Sequence, residues 1–472
     1  VIGTKYEPYA VDRPEPMPMA VPMDQGGTVE KMMVMPSKSM TMAIIYGREN
    51  PEKPEKIREL ELDGHYITSR KVDDSLYLVT NRSIPMYRIM EGEDDAAVPM
   101  VRDSAVSDKP EPVDLDKMLY RPDRIDSNYL IVAGVNLDKP EQKMDVTTFL
   151  GAGNQVYASK DHLYAVITEY DWRTPVIMED RAQADTGTTA DVARPTIAPS
   201  EPAQQKTKIY KFSLHEGKIE FKQEGEVPGR IVNQFSMDEH EGHFRIATTT
   251  GEMWRDDEHT SKNHLFVLNK TLDIVGSVND LAPGERIYSV RFMGDRGYVV
   301  TFRNVDPLFV VDLADPENPE LLGELKIPGY SDYLHPYDEN HLIGFGMDTI
   351  VIEQKDGNGK VVGETAFTQG MKMSLFDITD VHNPIEKFSE TIGDRGTNSP
   401  LLHNHKALMF AKHKNVMAFP VTVMEIPSDQ KVDQNGYPLY GEFAFQGAYV
   451  YTVNPEDGFQ LQAKITHLSE EE

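Results

Sequence analysis

Histidines, carboxylates and methionines are the groups here that could do chemistry, because the 472 residues include no cysteine. That excludes disulfides, thiolate metal sites, iron–sulfur clusters and cysteine nucleophiles together. His403 and His405 stand two residues apart in "HNH". On an extended strand this spacing turns both imidazoles to one side, which suits a transition metal. No third ligand is evident nearby, so solvated histidines are the plainer reading, and a bound transition metal is not expected. Asp256, Asp257 and Glu258, in "WRDDEHTSKNH", form the local Ca2+ candidate, with a solvated acidic loop as the alternative. "KDGNGK" from Lys355 and "DQNG" from Asp433 alternate Asp, Asn and Gly as oxygen-ligand loops do, and read equally as tight hairpin turns. His240 and His243 fall one residue short of the zinc-protease spacing and sit in a turn.

Methionine poses a separate question. Eight of the 23 lie between Pro14 and Met42. Thioether sulfur binds Cu(I), which makes Met17, Met19, Met23, Met32, Met33 and Met35 the copper candidates. Their pieces "PMPM" and "MMVM" lack spaced MxxM runs and contain no histidine, so an adaptable partner-contact segment or a linker is favoured over copper. No nucleophile elbow, phosphate loop or dinucleotide fingerprint occurs, and no nucleophile–base pair can be named.

The elements that must position these groups are strands. Helical periodicity is nearly absent, while two kinds of hairpin recur. One kind opens at Met42, Tyr129, Lys208, His264, Pro307, Met373 and Ala448, as in "PLFVVDLADPENPELLGELKI". The other opens at Tyr66, Gln155, Gln234, Ile287, Tyr333 and Lys406, as in "IYSVRFMGDRGYVVTF". Paired, they make a four-stranded unit repeated about seven times, the signature of an all-β, β-propeller domain spanning 1–472. "VIGTKYEP" reads as an inner-hairpin strand whose partner is missing, so the chain is expected to start inside a blade and be incomplete at both ends. About eight blades are expected in the complete protein, with seven as the alternative.

Label the strands of a unit A to D. The long insertions then fall between B and C, at 9–40, 85–126, 172–206, 353–370 and 425–442, and are expected on one face. The same face receives the D–A loops, which deliver His65, Asn154, Asn233, Arg286, Asp332, Asn398, His403 and His405 to the mouth of a central channel, a candidate ligand or ion site.

The segments "IYSVRFMGDRGYVVTFRNVDPLFVVDLADPENPELLGELKIPGYSDYLHPYDENHLIGFGMDT", "MSLFDITDVHNPIEKFSETIGDRGTNSPLLHNHKALMF" and "GHYITSRKVDDSLYLVTN" go beyond a generic propeller pattern. Through them the chain resembles the secreted bacterial and archaeal β-propeller domain family distantly related to WD40 repeats, most specifically over Ile287–Phe410. The resemblance implies a secreted or cell-surface propeller, with residues before "VIG" and beyond "THLSEEE".

Charge narrows the partners. With 77 acidic against 48 basic residues the formal net charge is −29, which disfavours nucleic acid and anionic membranes and favours cations, Ca2+ above all. No apolar run is long enough to span a membrane. The expectation is a secreted or cell-surface, non-enzymatic binding scaffold that recognises a protein or cell-wall component through its loop-rich face and is steadied by Ca2+. The alternative is a hydrolase-like enzyme or metal-handling protein using His65, Asp332, His403 and His405 at the channel mouth.

Overall fold

A computed structural model describes residues 1–8, 37–47, 49–50, 52–85, 89–90, 97–120, 127–151, 153, 155–171, 177–178, 196–197, 204–303, 306–355, 357–427, 432–433 and 436–468. The methionine candidates Met17 to Met35 and Asn154 lie outside the described residues. The described chain is mostly strand, with turns, bends and single turns of 3-10 helix between the strands, and none of its described helices is long and apolar enough to cross a membrane. It forms two compact units, Val1–Ile167 with Ile209–Glu224, and Thr168–Lys208 with Gly225–Glu472.

Antiparallel meanders account for both units. In the first, one sheet runs in the order Ile2–Pro8, Ser37–Tyr46, Lys56–Asp63, Met100–Asp103, Glu111–Pro112. The next runs His65–Val72, Ser75–Ser83, Asn128–Asn136, Asp145–Leu150, Met118–Tyr120. A four-stranded meander follows, from Gln155–Ala158 to Lys218–Pro228. In the second unit the four-stranded sheets begin at Met237–His240, Arg286–Met293, Tyr330–Asp338 and Met409–Ala411.

Side-chain alternation packs the sheets. "NYLIVAGVN" is apolar at nearly every position because both faces of this strand are covered. Tyr129, Ile131, Ala133 and Val135 join one buried cluster with Leu60 and Leu62, while Leu130 and Val132 join another with Tyr210 and Phe212. In the second unit, Val299 packs with Phe309 and Val311, and its neighbours Tyr298 and Val300 pack on the opposite face with Leu308 and Leu342. Glu241 and Gly242, with φ of 49° and 80°, close the His240–His243 turn, as the sequence predicts.

Two of the inferred insertions carry strands of their own. Residues 85–126 supply strands: Met100–Asp103 pairs with Lys56–Asp63, and Met118–Tyr120 pairs in parallel with Asp145–Leu150. Residues 353–370 are the end of a long hairpin, in which His341–Lys355 and Val361–Asp377 remain paired out to Lys355 and Val361. The run of β-branched residues in "DTIVIEQK", Thr349 to Ile352, sustains that pairing. Residues 425–442 begin and end in the strands Val416–Glu425 and Glu442–Asn454. Of 9–40 only Ser37–Met40 is described, as strand. Of 172–206 the pair Ile177–Met178 and Thr196–Ile197 and the strand start at Gln204 are described.

The opening strands of three sheets share a bulge. The register skips Ile67, Tyr288 and Asp332, each the third residue of its strand. A bulged residue escapes the ladder and is re-aimed. Glycine makes room at the last of these: a Cβ on Gly346 would come within 1.7 Å of the Tyr330 carbonyl oxygen. Gly346→Ala is expected to destabilise the chain by about 3 kcal/mol, at the upper end of overpacking costs. A urea-denaturation midpoint checks this against Gly357→Ala, whose added methyl meets nothing within 4 Å.

Candidate functional site

Asp332 is the residue that the third bulge frees. Its carboxylate is partly buried and makes no hydrogen bond or ion pair among the described residues. Burial pushes its pKa up to about 7, and the Arg286 charge opposes that without cancelling it. Arg286 instead turns to Tyr288, its guanidinium 4.7 Å from the ring centroid and its Nη2 donating to Tyr288 Oη at 3.0 Å. Tyr288, Phe302 and Tyr330 pack together at 4.7–5.5 Å. Ser289 Oγ donates to the Ser331 carbonyl at 2.6 Å, locking the two neighbouring first strands side by side.

A second cluster lies further along the same strands. Arg291 sits 5.0 Å over the Phe235 ring. Phe235 packs edge-on to His405 at 4.9 Å and against Tyr333 at 5.3 Å. Tyr333 Oη and His335 Nδ1 are 3.0 Å apart, and His335 meets the edge of Phe410 at 4.6 Å. Gln234 Nε2 lies 3.4 Å from His405 Nδ1. Burial, then the Arg291 charge and His405, hold His335 down at about 4, and burial with nearby cations lowers His405 too. Both imidazoles are therefore neutral at pH 7.

The third assembly is exposed. Arg395, on the loop after Ile385–Ile392, stacks 4.1 Å over Tyr440 and 5.3 Å over Phe367, and its Nη1 donates to the Pro438 carbonyl at 2.6 Å. Phe367 also meets Tyr437 at 5.5 Å. Arg395 thus joins residues of the 353–370 and 425–442 insertions. Tyr440 is 70% exposed and Phe443 50%.

The remaining sequence candidates are scattered. His65 is an exposed residue at the start of its strand in the first unit. Asn233 caps a 3-10 turn, accepting from the Phe235 amide at 2.9 Å, so its role is to seat Phe235. Asn398 is exposed and accepts from the Ser399 amide at 2.7 Å. The expected common face for His403 and His405 is absent, because the segment is not extended. Pro400–Leu402 and His405–Ala407 are separate 3-10 turns, capped by Ser399 and Asn404, so His403 is exposed while His405 packs onto Phe235.

Around the acidic candidates, Asp257 is held by the Arg255 guanidinium and accepts from the His259 amide at 2.9 Å, which holds its carboxyl down at about 2. Glu258 Oε1 is 3.8 Å from His259 Nε2. Asp433 Oδ1 accepts from the Tyr437 amide at 2.8 Å, as a turn residue does. Among the described residues no three His, Asp or Glu side chains gather as metal ligands. Sequence reasoning missed Arg291, Phe235, His335 and Arg395. All four lie inside the repeats and loops read from the sequence, and nothing but a fold could show that Arg291, Phe235 and His335 gather round Tyr333 while Arg395 meets Phe367 and Tyr440.

The family described as the beta propeller domain matches residues 1–472. An uncharacterized protein of Methanocaldococcus jannaschii is 30% identical over 397 residues, 72% of this chain and 57% of that protein. An uncharacterized protein of Archaeoglobus fulgidus is 40% identical over 233 residues, 49% of this chain and 31% of that protein. The chain therefore spans less than two thirds of the length of either relative. Among solved structures, the beta-propeller domain of the Trilobed protease from Pyrococcus furiosus covers 84% of this chain and 94% of that one, at 6% identity and a TM-score of 0.29. Acylaminoacyl peptidase in complex with Z-Gly-Gly-Phe-chloromethyl ketone covers 84% and 52%, at 8% identity and a TM-score of 0.30. Likenesses this distant carry nothing about activity. With repeated four-stranded meanders along its length and a family match from its first residue to its last, the chain belongs to the beta propeller domain family.

Proposed function

We propose that the chain is a non-enzymatic binding scaffold that works outside the cell or on its surface, holding a protein or cell-wall partner on its insertion loops. One observation carries this reading: Arg395 stacked on Tyr440 and Phe367, with the exposed Tyr437 packed on Phe367. An exposed Tyr held against a half-buried Arg in a preformed patch is the pairing that dominates binding energy at protein interfaces. The net charge of −29 supports a steadying role for Ca2+.

A pull-down from culture medium tests both points, with calcium and with a chelator. The paired substitution Arg395→Ala with Tyr440→Ala is expected to lower partner recovery about tenfold or more. Chelation is expected to lower wild-type recovery. Equal recovery by wild type and variant would remove the loop surface from the proposal.

Asp332 supports a second reading, an enzyme using acid–base chemistry, because a carboxyl pKa near 7 suits proton transfer. No hydroxyl, amine or imidazole hydrogen-bonds to it among the described residues, so the binding reading is preferred.

A further inference from the structure

We propose that the cluster around Arg291 is a binding site for a small organic carboxylate, apart from the partner surface and independent of it. The starting point is an unbalanced charge. Arg291 is partly buried, and its guanidinium makes no hydrogen bond or ion pair among the described residues. Burial holds its pKa below the ordinary arginine range, with Tyr333 and Asp238 opposing. Asp238 is engaged by Arg245 through a hydrogen-bonded ion pair. Its nitrogens reach solvent, and among the described residues no carboxylate forms an ion pair with it, so the guanidinium is open to an anion from outside.

What surrounds Arg291 describes its ligand. The groups around it are neutral donors and rings: His405 packs on Phe235 and Tyr333, His335 on Tyr333, Phe410 on His335, and Gln234 lies against His405. If Tyr333 Oη donates to His335 Nδ1 and Gln234 donates to His405 Nδ1, each imidazole keeps its Nε2–H to give. A planar guanidinium fork with imidazole donors fits the two oxygens of a carboxylate. Arg291 is the one guanidinium stacked in this cluster among the described residues, with Lys406 acting on His405 through its charge alone, and one planar fork matches a carboxylate better than a phosphate dianion. The Phe235, Tyr333 and Phe410 rings favour a ligand whose body is flat and apolar. The sequence offers no sign of this, since Arg291 and His335 lie within ordinary strands and Phe235 within a turn.

Benzoate is the probe, followed by calorimetry and by the histidine ring signals in NMR spectra of the whole chain. Saturable benzoate binding is expected, with the His335 and His405 signals moving together and inorganic phosphate competing weakly. Arg291→Met is expected to weaken binding by about 30-fold, and Arg291→Lys, which keeps the charge but loses the fork, by about tenfold. The wild-type spectra stand even if a variant misfolds. Absence of saturation in the wild type, unmoved histidine signals, or equal affinity in a folded Arg291→Met variant would each overturn the proposal.

Discussion

Arg58→Met is expected to destabilise the chain by about 3–5 kcal/mol, the usual cost of leaving a buried charge without its partner. Arg58 and Asp103 are 2% and 6% exposed, and the guanidinium donates two hydrogen bonds to the carboxylate at 2.8 and 2.6 Å and a third to the Gln142 carbonyl at 2.7 Å. Asp103 accepts in addition from the Met144 and Ala105 amides. The pair thus fastens the strand Met100–Asp103, and the turn before Asp145, to Lys56–Asp63. Burial acts to raise Asp103, and the Arg58 and backbone hydrogen bonds outweigh it, leaving the carboxyl below its ordinary value. A depressed carboxylate contributes stability above its unfolded pKa and loses it as pH falls through the folded value. The gap between wild type and Arg58→Met, read from urea denaturation, should therefore be widest at neutral pH and narrow as pH falls below about 4. Combining Arg58→Met with Asp103→Leu should recover most of the loss, because no buried charge then remains.

The same region shows what the sequence could convey. Every four-stranded repeat was legible, because alternating apolar residues and short polar turns specify hairpins locally. "YLIVAGVNLDKPEQKMDVTTFL" announces its two strands without help from the rest of the chain. Segment 85–126 did not announce its strands. Met100–Asp103 and Met118–Tyr120 are held by distant groups, Asp63 accepting from the Met100 amide and Lys117 pairing with Asp145. Such contacts carry no period. The candidate site divides in the same way. Asp332, Arg286 and His405 could be picked out as polar residues in connections. Their relation could not, because a one-residue bulge breaks the period-two reading where Asp332 sits. His403 and His405 failed for a similar reason, since Ser399 and Asn404 cap turns that fold the histidines apart.

Asp332→Asn should make the chain more stable above about pH 7 and leave it unchanged below about pH 4. The folded carboxyl is raised by burial from 3.8 to about 7, so between those values the folded state keeps a proton that the unfolded state has lost. Stability then falls as pH rises through that window and levels off above it, the opposite slope to that given by Asp103. A shift of about three units corresponds to about 4 kcal/mol, and partial exposure to water reduces the expected gain to about 2 kcal/mol. Urea midpoints of wild type and Asp332→Asn across this range decide it: curves that converge at low pH and separate at high pH are expected, and a constant offset would rule the carboxyl out. Arg286, the cation acting on Asp332, spends its own hydrogen bond on Tyr288 and leaves the charge uncompensated. Arg291 lies on the strand alongside with the opposite charge, likewise unpaired. Two unmatched charges of opposite sign on adjacent strands lower stability at neutral pH when they could have been paired or omitted. A carboxylate bound at Arg291 would supply that residue's missing partner and raise stability by mass action, leaving in place the slope that Asp332 imposes.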